Sequence, residues 1–226
     1  MNPSGRAEIA AAYNDWADTY DTNENRTRDL AGKALRESHL VFAGRKIIEV
    51  GCGTGRNTKW LASHSFATRE IVALDFSEQM LARAKDRVHD PRVRFIQHDI
   101  CEPWPLAEAS ADLMIVVLVL EHVEKLELFF AEAARTLSTG GELFICELHP
   151  MRQLLGGQAQ FTSIQTGEHR RVPAFLHNVS DYVNAGLSAG FELVRIGEWR
   201  DADALQKDLP RLLSLRFRLR PSEAIK

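Results

Sequence analysis

Apolar residues fall in short dense blocks along most of the chain, with longer mixed stretches between them. The blocks Ile47 to Val50, Ile71 to Leu74, Val93 to Gln97, Leu113 to Leu120 and Glu142 to Leu148 are of strand length. Between the second and third, Ser77 stands where an N-cap belongs, and Met80 and Leu81 mark the buried face of a helix running to Val88. This alternation predicts a parallel sheet with helices on both faces and right-handed crossovers. Ahead of it, Ile9, Ala12, Tyr13, Trp16 and Tyr20 recur at spacings of three or four, so residues Arg6 to Tyr20 should form a helix with one apolar-aromatic face. A second helix is expected from Asp29 to Phe42, stopped by Gly44.

The pattern breaks after Leu148. Gly156-Gly157, Gly167 and Pro173 punctuate the following residues, and the alternation from Gln158 to Ile164 suits a hairpin or lid. Ser180 is expected to cap a helix through Ala189, with Gly190 as its stop. Phe191 to Ile196 and Leu212 to Leu219 then read as strands; Arg216, Arg218 and Arg220, alternating with Phe217 and Leu219, read as a solvated face, with an anion site as the alternative.

Composition narrows the class. With 226 residues and 45% apolar content, one well-buried core is expected. A net charge of −3 gives no case for nucleic acid, and the longest apolar run falls far short of the ~20 residues that cross a bilayer. With no N-terminal signal pattern, the expectation is a cytoplasmic monomer or homodimer, neither membrane-bound nor nucleic-acid-bound. Cys52, Cys101 and Cys146 lack the spacing of metal pairs and read as reduced core thiols, so no metal is expected.

The candidate chemistry begins at Glu49-Val50-Gly51-Cys52-Gly53-Thr54-Gly55, a strand entering a glycine turn. Alternate glycines tolerate positive φ and leave room for a ligand against the backbone. The dinucleotide pattern G-x-G-x-x-G needs its third glycine one position later, where Arg56 stands. About 20 residues on, the second strand ends in Asp75, the place of a ribose-binding carboxylate. The third strand ends at Asp99, and the fourth at Leu118 to His122.

In order and spacing, residues 45 to 148 resemble the class I S-adenosylmethionine-dependent methyltransferases. The resemblance implies a seven-stranded, mostly parallel, Rossmann-like α/β sheet closed by a C-terminal antiparallel hairpin, the last strand inserted. It implies a single domain over 1–226, with 1–42 as a helical cap and 149–178 as a substrate-side lid. Glu49 with Gly51, Gly53 and Gly55 would receive the amino acid end of S-adenosylmethionine, Asp75 the ribose, Phe76 and Met80 the adenosine faces, and Asp99 with Ile100 the adenine edge. Leu118 would lie beside the cofactor, Trp104 over the adenine, and Tyr20 or Tyr13 at the methionine end.

Methyl transfer asks the protein for alignment, desolvation and, for a hydroxyl or acidic carbon, removal of a proton. Histidine suits the last task. His149 and His177 are the first candidates for base or substrate anchor, with structural hydrogen bonding as the competing role; His122 is as well suited to the cofactor's surroundings as to catalysis. No Asn/Asp-Pro-Pro-Tyr or Pro-Cys motif is present, so a small-molecule acceptor methylated at oxygen or carbon, with S-adenosylhomocysteine as product, is expected. A methyltransferase-fold lyase or cyclase, a non-transferring binder of the cofactor and, remotely, a nicotinamide oxidoreductase stay open.

Overall fold

Strict alternation in the middle strands splits the core into two layers. In β4 (Ala111–Val117), Leu113 and Ile115 join one buried cluster and Met114 and Val116 the other, as the pleat requires. These relations come from a computed structural model that describes residues 3–22, 24–64, 68–203 and 208–221. β4 pairs in parallel with β1 (Lys46–Val50) and with β5 (Leu137–Leu148), while β2 (Glu70–Asp75) and β3 (Val93–Gln97) extend the sheet beyond β1. At the other edge lie β8 (Phe191–Trp199) and β9 (Leu212–Leu219). The order is β3-β2-β1-β4-β5-β9-β8, with β9 antiparallel to both neighbours, the inserted last strand that was expected. The sheet reverses direction of growth between β1 and β4, so a crevice opens beyond their carboxyl ends.

Helices α2 (Arg26–Arg36) and α3 (Arg56–His64) cover one face, where Ala31, Leu35 and Leu61 meet Ile47, Leu113 and Ile115. On the other, Phe129 and Phe130 of α5 (Leu126–Thr136) and Tyr182 of α7 (Val179–Ser188) pack on Met114, Ile145 and Phe217. α4 (Glu78–Arg87) follows Ser77, whose hydroxyl accepts from the Met80 amide as expected of an N-cap. Outside the main sheet, α1 (Pro3–Trp16) packs on a hairpin of β6 (Gln160–Thr162) and β7 (His169–Arg171), burying Ile9, Ala12, Trp16, Phe161 and Val172 together. No helix among the described residues is long and apolar enough to cross a membrane.

Several boundaries differ from the sequence expectation for local reasons. Asn25 accepts from the Arg28 amide and starts α2 three residues before Asp29, and the Ser38 hydroxyl takes the Leu35 carbonyl near its end, so Leu40 and Phe42 reach the core from a loop. α7 is capped by Asn178, not Ser180, because Asn178 and Asp181 form a reciprocal capping box. β4 stops at Val117 because Leu118 adopts φ 58°, and a 3-10 turn over Leu120–His122 follows. A short helix, α6 (Pro150–Leu154), stands where no helix was expected. Arg216 is not on a solvated face: with Arg45 it grips the buried Glu142 carboxylate at 2.5 and 2.6 Å, leaving Arg218 and Arg220 exposed. Cys52 and Cys146 are buried and Cys101 half-buried, all three as free thiols.

Candidate active site

A cleft opens at the carboxyl ends of β1, β2 and β4, lined by residues of all three strand ends and of α1. The glycine turn forms its floor. Gly51 and Cys52 both donate to the Leu74 carbonyl, which fastens the turn to β2. Gly51 has φ 70°, and a β-carbon there would stand 2.2 Å from Val119 Cγ2. Gly53, at φ 54°, has nothing within 4 Å of that position, so its missing side chain leaves open space where a ligand can approach the backbone. Gly55 serves packing instead: a β-carbon on it would meet the Ala84 backbone of α4 at 3.0 Å.

Asp75 binds this floor into one unit. Its Oδ2 accepts from the Gly53 amide at 2.7 Å and its Oδ1 from the Ser77 amide at 2.9 Å, while burial raises its pKa. A carboxylate so held keeps lone pairs for the hydroxyl pair of a ribose. Phe76 and Met80 line the same wall, and Asp99 and Ile100 line the far end. This set of groups fits a nucleoside with an aliphatic tail, as S-adenosylmethionine has. Glu49 does not reach the cleft surface: it lies beneath the turn, bonded to Thr58 Oγ1 at 2.6 Å, and burial raises its pKa to about 8. Trp104 does not line the cleft; it lies in the core against Phe129, with its indole nitrogen donating to the Ile100 carbonyl.

The opposite wall centres on His122. Its Nδ1 is 2.7 Å from the Pro173 carbonyl, which can only accept, so Nδ1 carries the proton. Nε2 is then the acceptor for the Tyr13 hydroxyl at 2.8 Å, and burial holds Tyr13 well above the ordinary phenol pKa. Tyr13, Tyr20, Leu118 and His122 all line the cleft. Tyr20 stacks beneath Arg28 at 4.9 Å and its pKa is raised to about 12 by burial.

The other two histidines are engaged elsewhere. His149 caps α6, its Nδ1 accepting from the Met151 amide at 3.2 Å, with Glu198 3.6 Å from Nε2; burial lowers its pKa. His177 donates from Nε2 to the Val123 carbonyl at 2.7 Å and sits edge-on to Tyr182. Neither lines the cleft. Among the described residues no three histidine, cysteine or acidic side chains are grouped to hold a metal ion.

Two contributors escaped the sequence reading. Arg6 lines the cleft from α1 and pairs with Asp99, 93 residues away, for which no local signal exists. Glu147 is 1% exposed, and its Oε1 accepts from the amides of both Val119 and Leu120 at 3.0 Å, pinning the turn that carries His122. Its one sequence signal is an acid within the apolar run Phe144-Ile145-Cys146-Glu147-Leu148.

Comparison with known proteins agrees with this geometry. Residues 48–145 match the family model described as a methyltransferase domain. The chain is 32% identical over 221 residues to the uncharacterized methyltransferase AN0656 of Emericella nidulans, covering 83% of this chain and 77% of that one. It is 36% identical over 120 residues to a trans-aconitate 2-methyltransferase of Acidovorax ebreus, covering 53% of this chain and 44% of the relative. Among solved structures, the DhpI-SAH complex superposes with a TM-score of 0.73 at 19% identity, over 98% of this chain and all of that one. The chain belongs to the class I S-adenosylmethionine-dependent methyltransferases. It is a methyltransferase whose cofactor is S-adenosylmethionine.

Proposed function

We propose that this enzyme methylates a small-molecule acceptor at oxygen or carbon, with His122 as the base and Tyr13 as its hydrogen-bonding partner. The observation that carries the reading is the Tyr13 to His122 bond, which sets a basic nitrogen in the cleft wall at the end of β4. The bound cofactor supplies an electrophilic methyl group on a sulfonium. The chain's own work is to orient the acceptor, keep water out and take the acceptor's proton.

His122 Nε2 is the unprotonated nitrogen of its tautomer, since Nδ1–H is anchored at Pro173, and it accepts from the Tyr13 hydroxyl. An acceptor hydroxyl seated beside the Tyr13 hydroxyl would pass its proton to Nε2, directly or through the tyrosine. The resulting imidazolium lies 3.8 Å from Glu121 Oε1, a buried carboxyl that steadies its charge. Support for a small acceptor comes from the relative named for trans-aconitate. In the same reading α1 and residues 149–178 form a two-part cover, because Trp16 stacks on Phe161 at 5.1 Å and Arg170 reaches Asp15 at 3.3 Å. His149 and His177 then hold the cover's two ends in place without meeting the substrate.

The test compares three variants in an assay of S-adenosylhomocysteine release against a panel of metabolites. His122→Ala should lower turnover ~10²–10⁴-fold with cofactor affinity nearly unchanged. His149→Ala and His177→Ala, if folded, should keep turnover within about tenfold. Full activity of the His122 variant would refute the base assignment.

A further inference from the structure

Arg6 Nη1 lies 3.1 Å from Asp99 Oδ2, and the same nitrogen also bonds to Glu102. Asp99 Oδ1 is held separately by the Cys101 amide at 2.9 Å. The carboxylate is therefore pinned at both oxygens, once by its own turn and once by a helix that covers the cleft. Neither bond exhausts it, because a carboxylate offers about four lone-pair sites. Arg6, Asp99, Ile100 and Cys101 all line the cleft, and Arg6 Nε is buried with no hydrogen-bond partner.

We propose that Arg6 is a positioning residue that sets the cofactor's base specificity by fixing the direction in which Asp99 accepts. This rests on the reading that places adenine against Asp99. Held through Oδ1 alone, the carboxylate can turn about its broad terminal torsion and take up water. Pinned at Oδ2 as well, it presents its remaining lone pairs in one direction, where the base must offer a donor. An exocyclic amino group meets that demand. A carbonyl at the same position sets acceptor against acceptor and leaves a partly buried polar pair unsatisfied. Because Arg6 rides on α1, the same side chain joins the base site to the cover.

The experiment is calorimetric titration with S-adenosylhomocysteine and with S-inosylhomocysteine, whose base carries a carbonyl in place of the amino group. Wild type should prefer the amino base. Arg6→Ala should weaken S-adenosylhomocysteine about tenfold, the scale of one charge-assisted hydrogen bond, and leave the inosyl ligand within about twofold. Arg6→Lys keeps the charge without the planar fork and should restore part of the preference. In an Asp99→Ala background the preference should already be gone, and Arg6→Ala should add nothing to that loss. If Arg6→Ala weakens both ligands equally, or if Arg6→Ala and Arg6→Lys both keep the wild-type preference, Arg6 only packs α1 and the proposal fails even though Asp99 still reads the base. If Asp99→Ala keeps the preference, the adenine placement itself is wrong, and this proposal falls with it.

Discussion

Gly53 and Asp75 hold each other across 22 residues of chain, whereas Tyr13 meets His122 across 109. The floor of the cleft is a local device: a turn, a strand end and the cap of α4, joined by backbone amides donating to one carboxylate and backed by a buried sheet. α1 meets the distant β6–β7 hairpin chiefly through the Trp16–Phe161 ring stack. Aromatic pairs contribute roughly 0.5–1.5 kcal/mol each beyond their buried area, and this contact also buries Ile9, Ala12 and Val172. In the proposed reading the floor holds the cofactor, and α1 with residues 149–178 covers the acceptor.

Gly53→Val probes the floor with the largest expected effect. The side chain would enter open space and spare the fold, yet it would fill the ligand's approach at a backbone φ of 54°. Binding of S-adenosylhomocysteine, measured by titration, should fall by at least ~10²-fold, with strain of about 1–3 kcal/mol on stability. Gly55→Val should reverse the pattern, since its clash is with the Ala84 backbone of α4, and it should lower the melting temperature more than the affinity of any surviving fold.

Glu147 holds the turn that follows β4. Burial raises its pKa from 4.5 to about 8. Below pH 4.5 folded and unfolded chains both hold the proton; between 4.5 and about 8 only the folded chain does, so stability declines as pH rises through that window. The loss by pH 9 is on the order of a few kcal/mol. Glu147→Gln keeps an oxygen for the Val119 and Leu120 amides and removes the titration, so denaturation curves from pH 5 to 9 should be flatter in the variant. An unchanged slope would mean the buried carboxyl does not titrate there.

Asp75→Ala should weaken cofactor binding by ~1.5–3 kcal/mol, the scale of a hydrogen bond to a charged group. Because Asp75 also holds Gly53 and Ser77, exchange of those two amides should quicken even without ligand. The smallest effect belongs to the cover: a double-mutant cycle of Trp16→Ala and Phe161→Ala should show coupling of about 0.5–1.5 kcal/mol in thermal stability. Hydrogen exchange should show added protection over residues 13–20 with S-adenosylhomocysteine, and over 151–176 once an acceptor is present. Equal protection of floor and cover in the free protein would break the distinction between them.

The floor was legible in the sequence because each of its parts carries a short-range signature. Alternate glycines mark positive φ, an apolar block ending in Asp75 marks a buried strand with a polar tip, and Ser77 marks a helix start. The histidines were less legible. His149, His177 and His122 all stand at strand or helix boundaries, and only the packing of residues 149–178 decides which ring faces the cleft. His-Pro also conceals α6, since histidine is an uncommon N-cap although its Nδ1 performs the task here.

From the sequence alone came the alternating strands and helices of the sheet and the glycine turn, Asp75 and Asp99 that line the cleft, because period, capping and glycine placement act within a few residues of where they are written. Only the tertiary structure decided that Arg6 would meet Asp99, that Glu147 would hold the turn before His122, and that Tyr13 would meet His122. Those contacts join residues 27 to 109 positions apart. Side-chain chemistry limits which such partners are permitted, and packing of the whole chain selects among them.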